Sequence, residues 1–391
     1  MITPALSARA ALDLDKIDYG GDKPQQEGRR EIASRLAYDR SRDDTLIGMH
    51  IVNVILIVVT ATLYRFWAVT RVRRLVWSKT RFDGEPFEYT GNGLEIFLGF
   101  LKVFAVVLLP IGVLAAVVDA SIGIPTTMEE LATQELYAGA QVVVILSLLE
   151  MGRFLSWRYR LSRTRWRGIR GRIDASVWRY AGVALLTVAA WLFTGTLLKP
   201  VADAMRAKFV LSRMSLGTQK VQYFGGDVIL FGRWFMVAFL SGVVVAIIAT
   251  AAIPSEDVME SVMAADDINA GEAIVGRLVI ALVIAYVLIM WLYFWYRAGF
   301  WRYVAEHTRL GGLSFRFHAS GTQMFGLWLG NMLILVFSVG LLAPLTWRRR
   351  IEFLARHLEV LGALDPAMIR QAAEDDGALG GEGLVGDFDI A

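Results

Sequence analysis

The stretch LEIFLGFLKVFAVVLLPIGVLAAVV, Leu94 to Val118, carries two charges, Glu95 and Lys102, in an otherwise apolar run. At about 1.5 Å per residue a helix of this length exceeds 30 Å, enough to cross a hydrocarbon core. It lacks the period-2 alternation of a barrel strand. Six further apolar runs lie around it: Leu46–Trp67, Leu136–Leu155, Val177–Leu198, Val228–Ile253, Ile274–Tyr296 and Gln323–Trp347. The whole chain of 391 residues is 55% hydrophobic and 20% charged. This pattern predicts an all-α, polytopic helical membrane protein. It excludes a disordered chain, which lacks such apolar content. The absence of cysteine excludes a disulfide scaffold, thiol catalysis and zinc–cysteine or iron–sulfur sites.

The linkers divide by charge. Asp119–Glu135 holds four acids and Pro254–Ala273 holds six, and neither contains Lys or Arg. The other linkers are basic: six Lys/Arg in Arg65–Asn92, eight Arg in Arg153–Ser176, five Lys/Arg in Lys199–Asp227, four Arg in Arg297–His318 and four in Arg348–Arg356. The positive-inside rule puts the basic linkers in the cytoplasm and the acidic loops outside. Runs two and three, and runs five and six, then form simple hairpins. Runs one, four and seven are flanked by basic sequence on both sides. Either they cross, and the acidic loops lie on opposite faces, or they dip in and return. Thr194-Gly195-Thr196 with Pro200, and Gly340 with Pro344, would suit a re-entrant element.

The chain also repeats itself. Arg74-x5-Thr80-Arg81-Phe82-x-Gly84 recurs as Arg158-x5-Thr164-Arg165-Trp166-x-Gly168 and as Arg302-x5-Thr308-Arg309-Leu310-x-Gly312. Phe87-x-Tyr89, Val221-x-Tyr223 and Phe315-x-Phe317 precede Phe97, Phe231 and Phe325 at one common spacing. Thr62-Leu63-Tyr64, Thr196-Leu197-Leu198 and Gly340-Leu341-Leu342 end the odd runs. The spacing predicts a unit of about 140 residues. The expected division is a polar cytoplasmic tail at 1–45, membrane repeats at 46–176 and 177–318, a truncated third repeat at 319–360, and an acidic disordered tail at 361–391.

Arg71-Val-Arg-Arg74-x-x-Trp77-x-x-Thr80-Arg81-x-x-Gly84-x-x-Phe87-x-Tyr89-x-Gly91-x-Gly93-x-Glu95-x-Phe97 resembles the signature of the YjgN-like family, bacterial inner-membrane proteins built around a domain of unknown function. Asn53 and Thr62-Leu-Tyr-Arg-Phe-Trp67 fit the same pattern. The resemblance covers about residues 46–360, with a departure at Leu216-Gly217 in the second copy. It implies a multi-pass protein of the bacterial inner membrane and carries over no catalytic residues.

The charges inside apolar runs are the functional candidates, because ionisable groups in a bilayer are costly. Glu95, Lys102, Glu150 and Arg233 would form an intramembrane polar path if they face one another; at the run ends, snorkelling is the alternative. Asn53 and Asn331 occupy corresponding positions in runs one and seven and would tie helices by hydrogen bonds. Arg74, Thr80, Arg81, Arg158, Thr164, Arg165, Arg302, Thr308 and Arg309 are candidate contacts to anionic lipid or phosphate, or else plain topology anchors. Gly84, Gly168 and Gly312 read as turns that cap the basic helices, with phosphate binding as the alternative. His50, His307, His318 and His357 are dispersed, so no metal or other cofactor is expected. No nucleophile elbow or dinucleotide fingerprint occurs. The sequence therefore points to a non-enzymatic protein that conducts or transports a small solute or lipid at the repeat interface. The alternative is a structural, lipid-organising protein. The expected partners are anionic membrane lipids and an unidentified small molecule, with a homo-oligomer compatible and nucleic acid excluded.

Overall fold

The computed structural model describes residues 36–40, 44–122, 127–226, 230–252 and 268–362. The N-terminal tail up to Arg35, most of the second acidic loop and the acidic C-terminal tail lie outside the described residues. Four segments are long and apolar enough to cross a membrane: Gly93–Ser121, Met128–Arg163, Phe231–Thr250 and Ile274–Glu306.

The all-α expectation is overturned. Helices dominate the described residues, but hairpins in four basic linkers, with one strand before the first run and one after the last basic linker, fold into a ten-stranded antiparallel sheet, a nearly closed, barrel-like ribbon in chain order. The strands are β1 (Leu36–Tyr38), β2 (Thr80–Phe82), β3 (Glu85–Tyr89), β4 (Thr164–Trp166), β5 (Ile169–Ile173), β6 (Met214–Leu216), β7 (Gln219–Tyr223), β8 (Thr308–Leu310), β9 (Leu313–Phe317) and β10 (Leu358–Leu361). Four tight hairpins join them. Asp83 (φ 51°) with Gly84 (φ 78°), and Arg167 (φ 50°) with Gly168 (φ 77°), have both central residues in the left-handed region. Such primed turns match the twist of the strands they join. Gly84, Gly168 and Gly312 are thus hairpin-turn residues rather than helix caps.

Each five-residue strand serves two partners. Glu85 and Pro86 pair back to β2, and Phe87–Tyr89 pair forward to β4. β5 and β7 divide in the same way. The pairing puts alternate residues on opposite faces. Arg81, Glu88, Arg165, Arg170, Arg172, Lys220, Arg309 and Arg316 share one face. Thr80, Phe87, Tyr89, Trp166, Ile173, Val221, Thr308 and Phe317 share the other. On that second face Ile173, Trp166 and Tyr89 are buried.

All helices leave this sheet and return to it. Tyr38 pairs with Thr80, Tyr89 with Thr164, Ile173 with Met214, Tyr223 with Thr308 and Phe317 with Leu358. The first, third and fifth excursions are short: α1 (Asp44–Val59) with α2 (Arg65–Lys79), α6 (Val177–Phe193) with α7 (Lys199–Leu211), and α10 (Gly321–Phe337) with α11 (Ala343–His357). The second is long. It is made of α3 (Gly93–Val103), a π turn at Phe104–Leu108, α4 (Leu109–Ile122) and α5 (Met128–Arg163). The π turn adjoins Pro110, which has no N–H to continue the ladder. The fourth is also long and pairs α8 (Phe231–Ala252) with α9 (Ile268–Glu306).

The odd runs one, four and seven therefore turn back, because their two ends meet on neighbouring strands. One device reverses all three. The N–H groups of Thr62, Thr196 and Gly340 reach back five residues to the carbonyls of Ile57, Trp191 and Leu335, at 2.7, 2.6 and 2.8 Å. Thr62 (φ 73°), Thr196 (φ 73°) and Gly340 (φ 80°) are left-handed, as is the residue before each. The hydroxyls of Thr60, Thr194 and Ser338 accept from the N–H four residues on. Three orphaned helix ends are satisfied by the same bonds.

Candidate functional site: a charged central cavity

A cavity of about 910 Å³ opens where α5, α6, α7 and α9 converge above the apolar face of the sheet. Its walls are largely aromatic and aliphatic, including Trp157, Tyr180, Trp191, Tyr293 and Trp301. Phe154, Ile173, Tyr180, Ala184, Phe209 and Val210 form a buried cluster that fixes α6 and α7 against the second hairpin. Trp234, Tyr296, Phe300 and Val304 do the same between α8 and α9.

An ionic network lies against one wall. Arg206 on α7 bonds Glu150 on α5 at 2.7 Å and Asp203 one turn away at 3.3 Å. Asp203 also accepts from Lys199 at 3.0 Å and from the Tyr296 hydroxyl at 3.1 Å. Glu150 accepts from Arg153 at 2.8 Å. The side chains of Asp203, Arg206 and Glu150 are 10%, 11% and 16% exposed, so these charges are stable only as a paired set. Burial alone would lower the Arg206 pKa. The carboxylates of Glu150 and Asp203 outweigh it and raise the pKa above its ordinary value. Arg297 stands 5.3 Å from the Trp301 ring centroid, a cation–π arrangement. The cavity is lined by five cations, Arg153, Arg160, Lys199, Arg206 and Arg297, against the two carboxylates of Glu150 and Asp203. Its excess of positive charge suits an anion.

The structure distributes the sequence candidates widely. Glu150 lines the central cavity. Glu95 lies between α3 and α5, accepting from Tyr159 at 2.8 Å and pairing with Arg163 at 3.1 Å. Lys102 is exposed on α3. Arg233 lies on α8 with its guanidinium 5.5 Å from the Trp295 ring. Glu95, Lys102, Glu150 and Arg233 therefore do not converge on one path. Asn53 and Asn331 are brought together, on the wall of a second pocket.

The repeated Arg and Thr positions fasten the framework. The hydroxyls of Thr80, Thr164 and Thr308 donate to the carbonyls of Val76, Arg160 and Val304, closing the last turn of each helix before its strand. Arg74 donates to Gly91 O at 2.8 Å, and Arg158 to Ala175 O at 3.4 Å. Arg302 bonds its own helix at Ala298 O. Arg81 pairs with Asp39 at 3.4 Å, Arg165 faces Glu88 and Arg170 across the ladder, and Arg309 lies over the Phe224 ring.

Sequence reasoning missed Lys199, Asp203 and Arg206, which sit in a linker rather than a run. Their i, i+4 and i, i+3 spacing on one helix face was the available signal.

The model of a family described as bacterial protein of unknown function, DUF898, matches residues 36–386. This chain belongs to that family. The YjgN-like resemblance points to the same family. No curated protein and no solved structure matches the chain. Within the DUF898 match fall all ten strands, all three reversing turns and the whole charged network.

Proposed function

We propose that this DUF898 protein is a multi-pass protein of the bacterial inner membrane that binds a small anionic solute in its central cavity and conducts it. In this reading the two long helical excursions cross the bilayer. The three short ones enter it from the sheet side and return. The sheet, with its basic outer face, lies in the cytoplasm, in keeping with the positive-inside rule. The helices of the short excursions have at most 17 residues, about 25 Å, too short to cross alone. They line a vestibule instead.

The observation that carries the proposal is the cavity's five-to-two excess of cations among aromatic walls, held in place by the Glu150–Arg206–Asp203 network. No catalytic step is assigned to it. Chloride and phosphate are the probes. Purified protein in liposomes is assayed by lucigenin quenching for chloride and by radiolabelled uptake for phosphate. The proposal expects flux above protein-free vesicles, and a several-fold reduction in Arg297→Gln, which leaves the ionic network intact. Flux equal to that of empty vesicles for both anions overturns it. The lipid-organising alternative is favoured by the basic sheet face and by Trp178, exposed at the start of α6. It predicts retention of anionic lipid without flux.

A further inference from the structure

A second pocket, about 680 Å³, lies where the first and last short excursions meet, between α1–α2 and α10–α11. This is the seam of the sheet: β1 and β10 are its two ends, and α11 packs beside β1 through the Arg40–Glu352 pair. The volume is that of a small-molecule site.

Two side-chain amides, Asn53 on α1 and Asn331 on α10, line the pocket. Asn53 is fully buried and Asn331 is 3% exposed. In both, the nitrogen and the oxygen lack any hydrogen-bond partner among the described residues. Four unsatisfied polar atoms at one cavity are costly, and buried amides normally find partners. The reversing turns align the three short excursions residue by residue, and Thr187 then stands on α6 where Asn53 and Asn331 stand on theirs. Thr187 borders no such seam, and its hydroxyl bonds Val183 O at 2.7 Å. Amides occur only at the two copies that share the pocket.

The same alignment places Arg350 of α11 where Arg206 stands on α7, and Trp347 where Asp203 stands. Arg206 is matched by two carboxylates. Arg350 makes no ion pair or hydrogen bond among the described residues, and burial pushes its pKa down to about 10. It too lines the pocket, with Arg65 nearby and with Ile57, Trp328 and Leu335 supplying apolar wall.

We propose that this seam pocket is a binding site for a phosphate ester, whose anionic oxygens take the place at Arg350 that protein carboxylates take at Arg206, while Asn53 and Asn331 hydrogen-bond its hydroxyl or ester oxygens. A guanidinium with two amides suits a phosphate flanked by neutral oxygens. The shared chemistry comes either from a phosphoglycerol lipid headgroup or from a soluble glycerol phosphate. The site is separate from the central cavity and does not depend on the conduction reading.

The test uses the full chain, purified in detergent and stripped of lipid. It is titrated with phosphatidylglycerol, with glycerol 3-phosphate and with phosphatidylcholine as the control. Native mass spectrometry counts bound molecules, and the thermal midpoint reports stabilisation by mass action. One phosphatidylglycerol per chain is expected, bound at least about tenfold more weakly by Arg350→Met, the loss of one charge-assisted contact. Glycerol 3-phosphate binding as well as the lipid supports the site and names a soluble ligand. Binding of the lipid alone supports it and names the headgroup. Trp347→Asp supplies Arg350 with the carboxylate that Arg206 has and gives up packing on Val72 and Val76, so whatever its own starting midpoint it should abolish the ligand's effect. Arg350→Met, which removes an unpaired buried charge, is the variant expected to stay folded. The proposal is overturned if neither phosphate ester binds, or if Arg350→Met and Trp347→Asp bind both probes as the wild type does.

Discussion

The coupling between Glu150 and Arg206 is the sharpest test of the central network. Arg206→Met removes a cation that stays charged at every accessible pH, so no proton release softens the loss. Removing one member of a buried ion pair typically costs about 3–5 kcal/mol, because the partner is left buried and uncompensated. Here the lower end of that range applies. Glu150 keeps Arg153 at 2.8 Å, and Asp203 keeps Lys199 and Tyr296 at 3.0 and 3.1 Å. Two charge-assisted hydrogen bonds to carboxylates disappear, each worth about 1.5–3 kcal/mol net, together with the bond from Arg206 Nε to Ala202 O at 3.1 Å. The expected destabilisation is therefore about 3 kcal/mol, near the lower end of the buried-pair range. Glu150→Gln alone should cost less, since the amide oxygen still accepts from Arg153. In the double variant the penalty should fall short of the sum by about 1–3 kcal/mol, as for residues in one network. Equilibrium unfolding in mixed micelles, followed by tryptophan fluorescence, measures all four corners of the cycle. Additivity within about 0.5 kcal/mol would mean that Arg206 and Glu150 do not interact, and the cavity's electrostatic frame would be wrong.

Three further outcomes follow from the same geometry. A Cβ at Gly321 would lie 2.5 Å from Trp295 Cα, so Gly321→Ala must push α10 off α9 and should cost about 1–3 kcal/mol in the same unfolding assay. Burial alone would raise the Glu352 pKa, but hydrogen bonds from Arg348 and Arg40 and their charges hold it below the usual carboxylate range. Its stabilisation is then present above the unfolded value of about 4.3 and is lost as pH falls through the lower folded value; Glu352→Gln should flatten the acid limb of a plot of thermal midpoint against pH. Single cysteines at Ser162 and Ser215 should react from the same side of the membrane, and one at Ser121 from the other. Labelling of Ser162 and Ser215 from opposite sides would contradict the return of the α6–α7 excursion to its starting strand.

The four long apolar helices were legible because twenty or more apolar residues in a row admit few structures. The reversing turns were legible as the recurring Thr62, Thr196 and Gly340 triplets, although the sequence left crossing and re-entry open. The strands were not read as strands. Each hairpin contributes three residues, a two-residue turn and five more, embedded between helices, so no window of helical length separates them. The residues did carry the signal: Asp83-Gly84 is a strong primed-turn dipeptide, and Arg81, Glu88 and Arg165 alternate with Phe82, Phe87 and Trp166. Treating Thr80-Arg81-x-x-Gly84 as the end of a helix hid the period-2 pattern behind it. The cavity could not be read locally at all. Glu150 and Arg206 meet across 56 positions of sequence, and only the pairing of β5 with β6 and the packing of α6 and α7 on α5 brings them together.

The double allegiance of the strands has a bearing on how chains of this kind can vary. Tyr38 to Thr80 spans 42 positions, and both Ile173 to Met214 and Phe317 to Leu358 span 41. Tyr89 to Thr164 spans 75 and Tyr223 to Thr308 spans 85. Three ladder pairs close each of the first four excursions and four close the last, whatever the length between them, so residues added at a distal tip shift no register in the sheet. The long excursions already differ by ten residues, whereas the short ones are held almost to the residue by their common reversing turn. Bilayers of different thickness, or a reporter domain inserted by design, can be accommodated at the far ends of the long helices. From the reversing turn (Thr62, Thr196, Gly340) to the returning strand (Thr80, Met214, Leu358) the three are equal in length, so a residue gained or lost there would rotate the returning helix against the cavity it lines.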